Sequence, residues 1–455
     1  MALKREDGQE HPGIKWWIFT TRIPFYHTRV EWSDLLQGMF VAGATGLAIV
    51  PILQHLLGLT FEEAVACVFI QALILCTAPI IFGEPFAPGM VTPALPLVLM
   101  AFGGYETYDE RWQFLAASAM CLSGIMFILG ITGMGTRFIK WLPDALKGGI
   151  ILGAAIAALK RVFYDDADTY LHVQPITTIA ALAVCMLLIF SVPVQRLRLK
   201  HKWLAALAGL GLLPGFLVAG IVGPISGEVT YEIRWGILFP PFADAIAKMS
   251  PFAIGFPSLD IFIAAFPLAL ATYVIIFGDI ITGTEIIKIA QPARPDEKIH
   301  VDTNRSHLNL AIRNAVQSLI APFFPYQGAL WTGVHVVIVQ RWTMGRKAMD
   351  SLFSGIHSYY VFGVPVLYMA LPLLTALEPL MGVALSLTLV LTGFACAYVA
   401  MEIPKTAVER GVVLFTAVSL AIFSPWIGML VGVIATVLLV GIKPHVEIPE
   451  GEKIP

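Results

Sequence analysis

Charge is scarce in this chain. Only 13% of its residues are Asp, Glu, Lys or Arg, against the roughly 25% of an ordinary soluble domain. That is too little polar surface to cover a water-soluble core of this size. Its 29 basic and 31 acidic residues nearly cancel, so no net field points to nucleic acid. The local signatures of soluble chemistry are missing too. No HExxH, phosphate loop, Ser/His/Asp set or paired-carboxylate motif stands in a loop able to host it, which argues against an enzyme. Five cysteines, Cys67, Cys76, Cys121, Cys185 and Cys396, form no CxxC and lie in apolar runs. They read as packing residues, not disulfides or metal ligands. His172, His201 and His307 read as scattered loop histidines without partners. The first 30 residues mix charge with aromatics and show no apolar core before a cleavage site, so no secretory signal is expected.

Hydrophobicity is what the chain has in excess: 57% of it is apolar. Between charge clusters, apolar runs reach the length needed to cross about 30 Å of hydrocarbon as a helix. The sequence predicts an all-α membrane protein with about fourteen spans, its partner the lipid bilayer. In the first half these are 35–56, 61–82, 85–103, 112–132, 144–160, 174–194 and 202–222. In the second they are 258–288, 308–324, 326–340, 350–376, 379–401, 406–423 and 426–442. Residues 1–34 form an N-terminal arm whose Lys15-Trp16-Trp17-Ile18-Phe19 to Phe25-Tyr26 stretch suits the headgroup layer. Residues 223–257 connect the halves outside, and 443–455 form a tail. With the N-terminus inside, alternation leaves only Arg111, Lys160, Arg161, Arg234 and Lys248 of the 29 basic residues outside. This bias supports the span count and cytoplasmic N- and C-termini, in the inner membrane if the source is bacterial. It also puts the Asp165-Asp166-Ala167-Asp168 loop outside.

The chain repeats itself at a near-constant offset. Gly43-Ala44-Thr45-Gly46 matches Thr282-Gly283-Thr284, the Pro85–Pro96 stretch matches Pro322–Thr332, and Pro143–Gly148 matches Pro379–Gly382. Seven spans per copy is an odd number, so the copies are expected to lie inverted in the membrane, a 7+7 repeat.

Spans three and ten are expected to be broken. Pro85, Pro88 and Pro93, and likewise Pro322 and Pro325, each remove a donor and clash with the preceding turn. Short irregular or strand-like segments should precede half-helices too short to cross alone. Irregular backbone at that depth survives only where protein or a cavity surrounds it. Two half-helix N-termini facing each other make a site for an anion or a carbonyl-rich ring. The alternative is a pair of proline-kinked packing helices.

Asp279 is the deepest acid of the second half, with Thr282 and Gly283 on the same helix face. It is expected to couple transport, either carrying H⁺ or, with the Thr92 and Thr332 hydroxyls, binding Na⁺; the alternative is a structural acid. No other metal or cofactor is implied. Gln37 in span one, with Gln327 and His335 in span ten, are candidate solute contacts. Gln54, His55 and Gln71 are less decisive, and Glu84, Glu285 and Glu402 read as facing water on the inner side.

At these residues the sequence resembles the nucleobase–ascorbate transporter family, over nearly the whole chain. Leu36-Gln37, Ala42-Gly43-Ala44-Thr45 and Val50-Pro51 are similar to its first span. Pro93-Ala94-Leu95-Pro96-Leu97-Val98-Leu99 is similar to its third, Trp141 to Gly148 to its fifth, and Phe323-Phe324 to Thr332-Gly333 to its tenth. Sulfate permeases and anion exchangers share that family's architecture. The resemblance implies a core domain of spans 1–4 (35–132) and 8–11 (258–376). It implies a gate domain of spans 5–7 (144–222) and 12–14 (379–442), usually at a homodimer interface. It also implies solute contact by backbone at Val91, Thr92 and Gly333. Two positions depart from the pattern: the family's base-reading glutamates match Ile275 and Val334 here. The sequence thus leads to a secondary transporter, coupled to H⁺ or Na⁺, whose core slides against its gate with a small anionic or nucleobase-like solute. The alternatives are a passive anion channel and a proton-coupled nucleobase permease.

Overall fold

The computed structural model describes residues 5–441 except Asp166, Thr169, Tyr170, Pro325, Gly363 and Ser424. The expected tail 443–455, Pro325 of the second broken segment and Asp166 of the acidic loop fall outside the described residues. Helices fall within each predicted span of the first half, though 202–222 is split into Lys202–Gly209 and a second helix from Leu213. They are α1 (Trp32–Leu57), α2 (Phe61–Ile80), α3 (Leu95–Ala101), α4 (Tyr108–Thr132), α5 (Asp144–Lys160), α6 (Pro175–Phe190) and α7 (Leu213–Ser226). The second half gives α8 (Leu259–Ala290), α9 (Thr303–Ile320), α10 (Thr332–Thr343), α11 (Leu352–His357), α12 (Met381–Glu402), α13 (Ala407–Ile422) and α14 (Pro425–Ala435).

Local chemistry sets where these helices start and stop. α2, α4 and α13 each begin at a reciprocal capping box, Thr60 with Glu63, Thr107 with Glu110, and Thr406 with Glu409. Each box satisfies two donors that the first turn leaves bare. Gly133 ends α4 with φ +68°, a conformation that costs a side-chain residue its Cβ clearance. Among the described residues five helical stretches are long and apolar enough to cross a bilayer, or six if Pro175–Phe190 and Val192–Arg198, bent by 62°, count as one span. The others are shorter or broken; the seven residues of α3 rise about 10 Å.

α4 packs against α8 and α9, α5 against α12 and α13, and α6 against α7. α1 passes close to the chain beyond α11: a Cβ on Gly38 would collide with the Tyr359 backbone. Two boundaries differ from expectation. The predicted span 350–376 stops at Met369, because Ala370 turns out of helical geometry and Pro372 starts a new helix at Leu371 that runs on toward α12. The connection 223–257 is not plain loop but carries helices Phe242–Met249 and Pro251–Ile254.

The N-terminal arm folds back on the same end of the molecule as the α8–α9 and α10–α11 loops. Ile14–Trp16 and Phe19–Thr21 pair as an antiparallel hairpin, leaving Trp17, Phe25 and Tyr26 exposed. Arg5 is buried against Asp296 (2.6 Å) and Glu297 (3.4 Å), and Arg294 holds Asp296 at 2.7 Å. Hydrogen bonding to Arg294 keeps the Asp296 carboxyl at about 2, below the usual carboxylate range. Burial pushes the His11 imidazole down to about 4, with its Nε2 on the His27 carbonyl at 2.7 Å.

A candidate solute site where two broken segments cross

The proline-rich stretch before α3 and the one before α10 pair with each other. Met90 faces Gln327 in an antiparallel bridge. Val91 N–H donates to Tyr326 O (3.0 Å), Gly328 N–H to Gly89 O (2.8 Å), and Trp331 N–H to Ala87 O (2.9 Å). Proline-broken backbone would otherwise strand its polar groups inside the protein. Here each segment serves as the other's strand. The approach is tight: a Cβ on Gly89 would lie 2.8 Å from Leu330 O.

α9 acts as a side-chain template for this crossing. Asn314 donates to Gln327 O (3.1 Å) and accepts from Gln327 N–H (3.1 Å), and Gln317 donates to Phe323 O (2.8 Å). Arg313 donates to the Gln327 side-chain oxygen and to Gly328 O (3.4 Å). On the other segment, Ser306 (2.9 Å) and Asn309 (3.4 Å) donate to Glu84. Glu84 is thus buried at 1% exposure, not turned to water as the sequence suggested. His307 is likewise no loop residue. It sits within α9, bonded to the Tyr273 hydroxyl (3.1 Å) and Thr303 O (2.7 Å). Asn314 and Gln317 went unnoticed in the sequence because their span was read as apolar, and Arg313, counted there with the inner-side basic residues, is buried within α9. Their three- and four-residue spacing was the available signal.

The crossing leaves two helix starts uncapped. Neither the 3-10 turn Thr92–Ala94 leading into α3 nor α10 has a side-chain cap, so their first N–H groups keep the donor field of a helix N-terminus. Thr332 and Gly333 are exposed at the start of α10, and a Cβ on Gly333 would meet nothing within 4 Å. Val91 is fully buried in the crossing, while Thr92 is half-buried with its hydroxyl 3.4 Å from Met90 O.

The remaining candidates divide. Gln327 is committed to protein: its amide nitrogen also reaches Gln317 (2.7 Å) and Gln71 O (3.3 Å). His335 is buried with Nδ1 accepting from Ala87 N–H (3.2 Å), which ties α10 to the other broken segment, while Nε2 bonds no described residue. Gln37 lies apart, bonded to Ser33 at 3.4 Å. Beside the crossing is a cavity of about 40 Å³ whose lining includes Gly89, Met90, Trp331, Gln71 and Tyr360. The Gln71 amide nitrogen and Tyr360 hydroxyl are buried and bond no described residue. The volume corresponds to about three water-sized probes.

Asp279 stands on α8, which packs against both the Thr92–Ala94 turn and α10. Its carboxylate is half-buried and makes no hydrogen bond or ion pair with any described residue. Cys396 of α12 lies within its electrostatic reach. One turn on, Gly283 packs against the Phe86 ring. Thr282 is exposed and its hydroxyl bonds back to Gly278 O at 2.9 Å.

No family model matches the sequence, and no curated protein matches it. Solved structures do. The chain is similar to SLC26A9, with TM-score 0.54 and 16% identity over 90% of this chain. It spans 64% of that protein's length, short of two thirds. Murine Solute Carrier 26 family member A9, an anion transporter captured inward-facing, gives TM-score 0.53 and 15% identity, covering 90% of this chain and 68% of that one. The transmembrane domain of a cyanobacterium bicarbonate transporter, BicA, gives 0.52 and 12%, covering 92% of this chain and all of that one. Identities this low speak to fold alone: the chain is a helical integral membrane protein with the fold of these transporters.

Proposed function

We propose that this protein is a secondary transporter of a small anion, with the solute held between the uncapped N-termini of α3 and α10. The crossing carries the proposal: the paired broken segments lead into two helix starts that no side chain caps, with Thr92, Thr332 and Gly333 at their heads. Amides and helix dipoles stabilise an anion without a full counter-charge. The transporters of like fold include one for bicarbonate and one described as an anion transporter, which favours the same solute class. A nucleobase is the weaker reading. Ile275 and Val334 hold the positions of the base-reading glutamates, so its N–H edge lacks acceptors there.

Asp279 binds the driving H⁺ or Na⁺ in this proposal, with Thr92 and Thr332 as further oxygen donors for Na⁺. An unpartnered carboxylate at membrane depth is costly unless a cation neutralises it. Fourteen spans in two inverted copies would place the site near the midplane, where a core of spans 1–4 and 8–11 slides against a dimeric gate. Uptake of bicarbonate, sulfate and chloride into liposomes holding the purified protein tests the function. Saturable uptake that needs an inward H⁺ or Na⁺ gradient is expected. Linear flux indifferent to either gradient would indicate a passive conductor instead.

A further inference from the structure

A separate cavity, about 350 Å³, lies under the N-terminal arm and shares no lining residue with the one beside the crossing. The hairpin builds one wall of it. Successive strand residues point to opposite faces, and the pairing of Ile14 with Thr21 and Lys15 with Thr20 puts Gly13, Lys15, Thr20 and Arg22 on one face. These four line the cavity, together with Lys298 of the α8–α9 loop. Lys298 N–H donates to Gln9 O at 3.0 Å, which fixes that loop to the arm. The hairpin's other face rests on the end of α2. Phe19 packs on Phe82, ring centroids 4.9 Å apart, and Trp16 Nε1 donates to Ile81 O (3.3 Å).

The charged lining is Lys15, Arg22 and Lys298 against Glu10, beside a His11 that burial keeps neutral. Lys15 and Lys298 are exposed, and their ammonium groups make no hydrogen bond or ion pair with any described residue. Arg22 is the anomaly, at 4% exposure. Its Nε and Nη2 donate to His11 O (3.3 and 3.1 Å), its guanidinium carbon stands 3.8 Å from the centre of the Phe353 ring, and Nη1 bonds no described residue. No described carboxylate pairs with it: Glu10 and Glu297 act through space, and Arg305 opposes them. Arginine stays charged, and a buried charge without a counter-ion is costly. The arm's other buried arginine shows the contrast, since Arg5 is paired with both Asp296 and Glu297.

We infer that this cavity holds the phosphate of an anionic phospholipid headgroup, with Arg22, Lys15 and Lys298 supplying the charge. Phosphate oxygens accept from guanidinium and ammonium groups together. Position favours a lipid over a soluble phosphate. α2 is long and apolar enough to cross the bilayer and ends at Ile80, so a hairpin seated on its end lies at headgroup depth. Trp16 and Trp17 stand exposed beside Lys15, as aromatic residues do in that layer. The charge bias of the loops assigns this end to the cytoplasmic leaflet, where anionic lipids concentrate. The inference is independent of which solute the protein carries.

Native mass spectrometry of the full-length protein in detergent, with phosphatidylglycerol or phosphatidylcholine added, counts bound lipids and gives their apparent Kd. Phosphatidylglycerol is expected to bind about tenfold more tightly than the zwitterionic lipid. Lys15→Gln combined with Lys298→Gln alters only exposed side chains and should weaken phosphatidylglycerol by about tenfold. Arg196→Gln removes an exposed cation outside the cavity and should leave the preference intact. Arg22→Gln should lose the preference, and Arg22→Lys, which keeps the charge, should retain part of it. Glycerol phosphate, the same headgroup without chains, should compete only far above the lipid's concentration. Competition at equal concentration would make this a site for soluble phosphate and overturn the lipid. Equal binding of the two lipids, or a preference that survives loss of both lysines, would overturn the site itself.

Discussion

Asp279 and Arg313 are both charged residues deep in the helical bundle, and their surroundings assign them opposite work. Arg313 is committed to the crossing by both terminal nitrogens, through Gln327 and Gly328 O. Asp279 bonds no described residue. Removing an unpartnered buried charge relieves its desolvation cost, whereas removing one side of a charged hydrogen bond strands the other. Asp279→Asn is therefore expected to unfold no earlier than the parent protein in a thermal melt while losing its H⁺ or Na⁺ requirement. Gln327→Leu should cost about 1–3 kcal/mol, more if Arg313 finds no substitute acceptor. A loss of stability in Asp279→Asn would return that residue to a structural role. Asp279 was legible in the sequence because a lone acid stood in an apolar run. Arg313, Asn314 and Gln317 were not, because a polar face inside a bundle looks, without its partners, like a weak span.

At the scale of elements, the two proline-broken stretches act as one unit. Their breaks could be read from the prolines. Their pairing could not, because the partner strand lies more than 230 residues away and no local pattern encodes its register. Two glycines separate packing from binding. Gly89→Ala places a methyl 2.8 Å from the Leu330 carbonyl, and should destabilise the protein by about 1–3 kcal/mol through overpacking. Gly333→Ala meets open space and replaces a poor helix former, so stability should hold or rise by up to about 1 kcal/mol while anion affinity falls. Thermal melts with and without anion read both effects. Equal losses of stability would deny that Gly333 borders an open site.

Across the whole molecule, the arm binds loops that sequence distance keeps far apart, with Arg5, Arg22 and Arg294 meeting Asp296, Glu297, Asp350 and Phe353. His11 is held neutral there. Its folded value of about 4 lies below its ordinary 6.5, so the undocked arm binds the proton more readily. Docking is full above pH 6.5 and weakens as pH falls toward 4. Asp296, held at about 2, yields only below the ordinary carboxylate range. Protease cleavage within residues 5–28 should rise between pH 6.5 and 4, and His11→Phe should flatten that rise; unchanged cleavage over this range would discount His11. Helix placement was largely readable from apolar run length, as at Asp144–Lys160. The turn at Ala370 was not, since the apolar run continues straight through it.

The most direct test is the melting temperature of the purified protein titrated with bicarbonate, sulfate, chloride and uracil, with and without Na⁺. A ligand that binds only the folded state stabilises it saturably. At least one small anion should raise the midpoint to a plateau, uracil should not, and Gly333→Val should abolish the rise. A midpoint indifferent to every anion, or a shift that survives Gly333→Val, would contradict an anion site between the two half-helices.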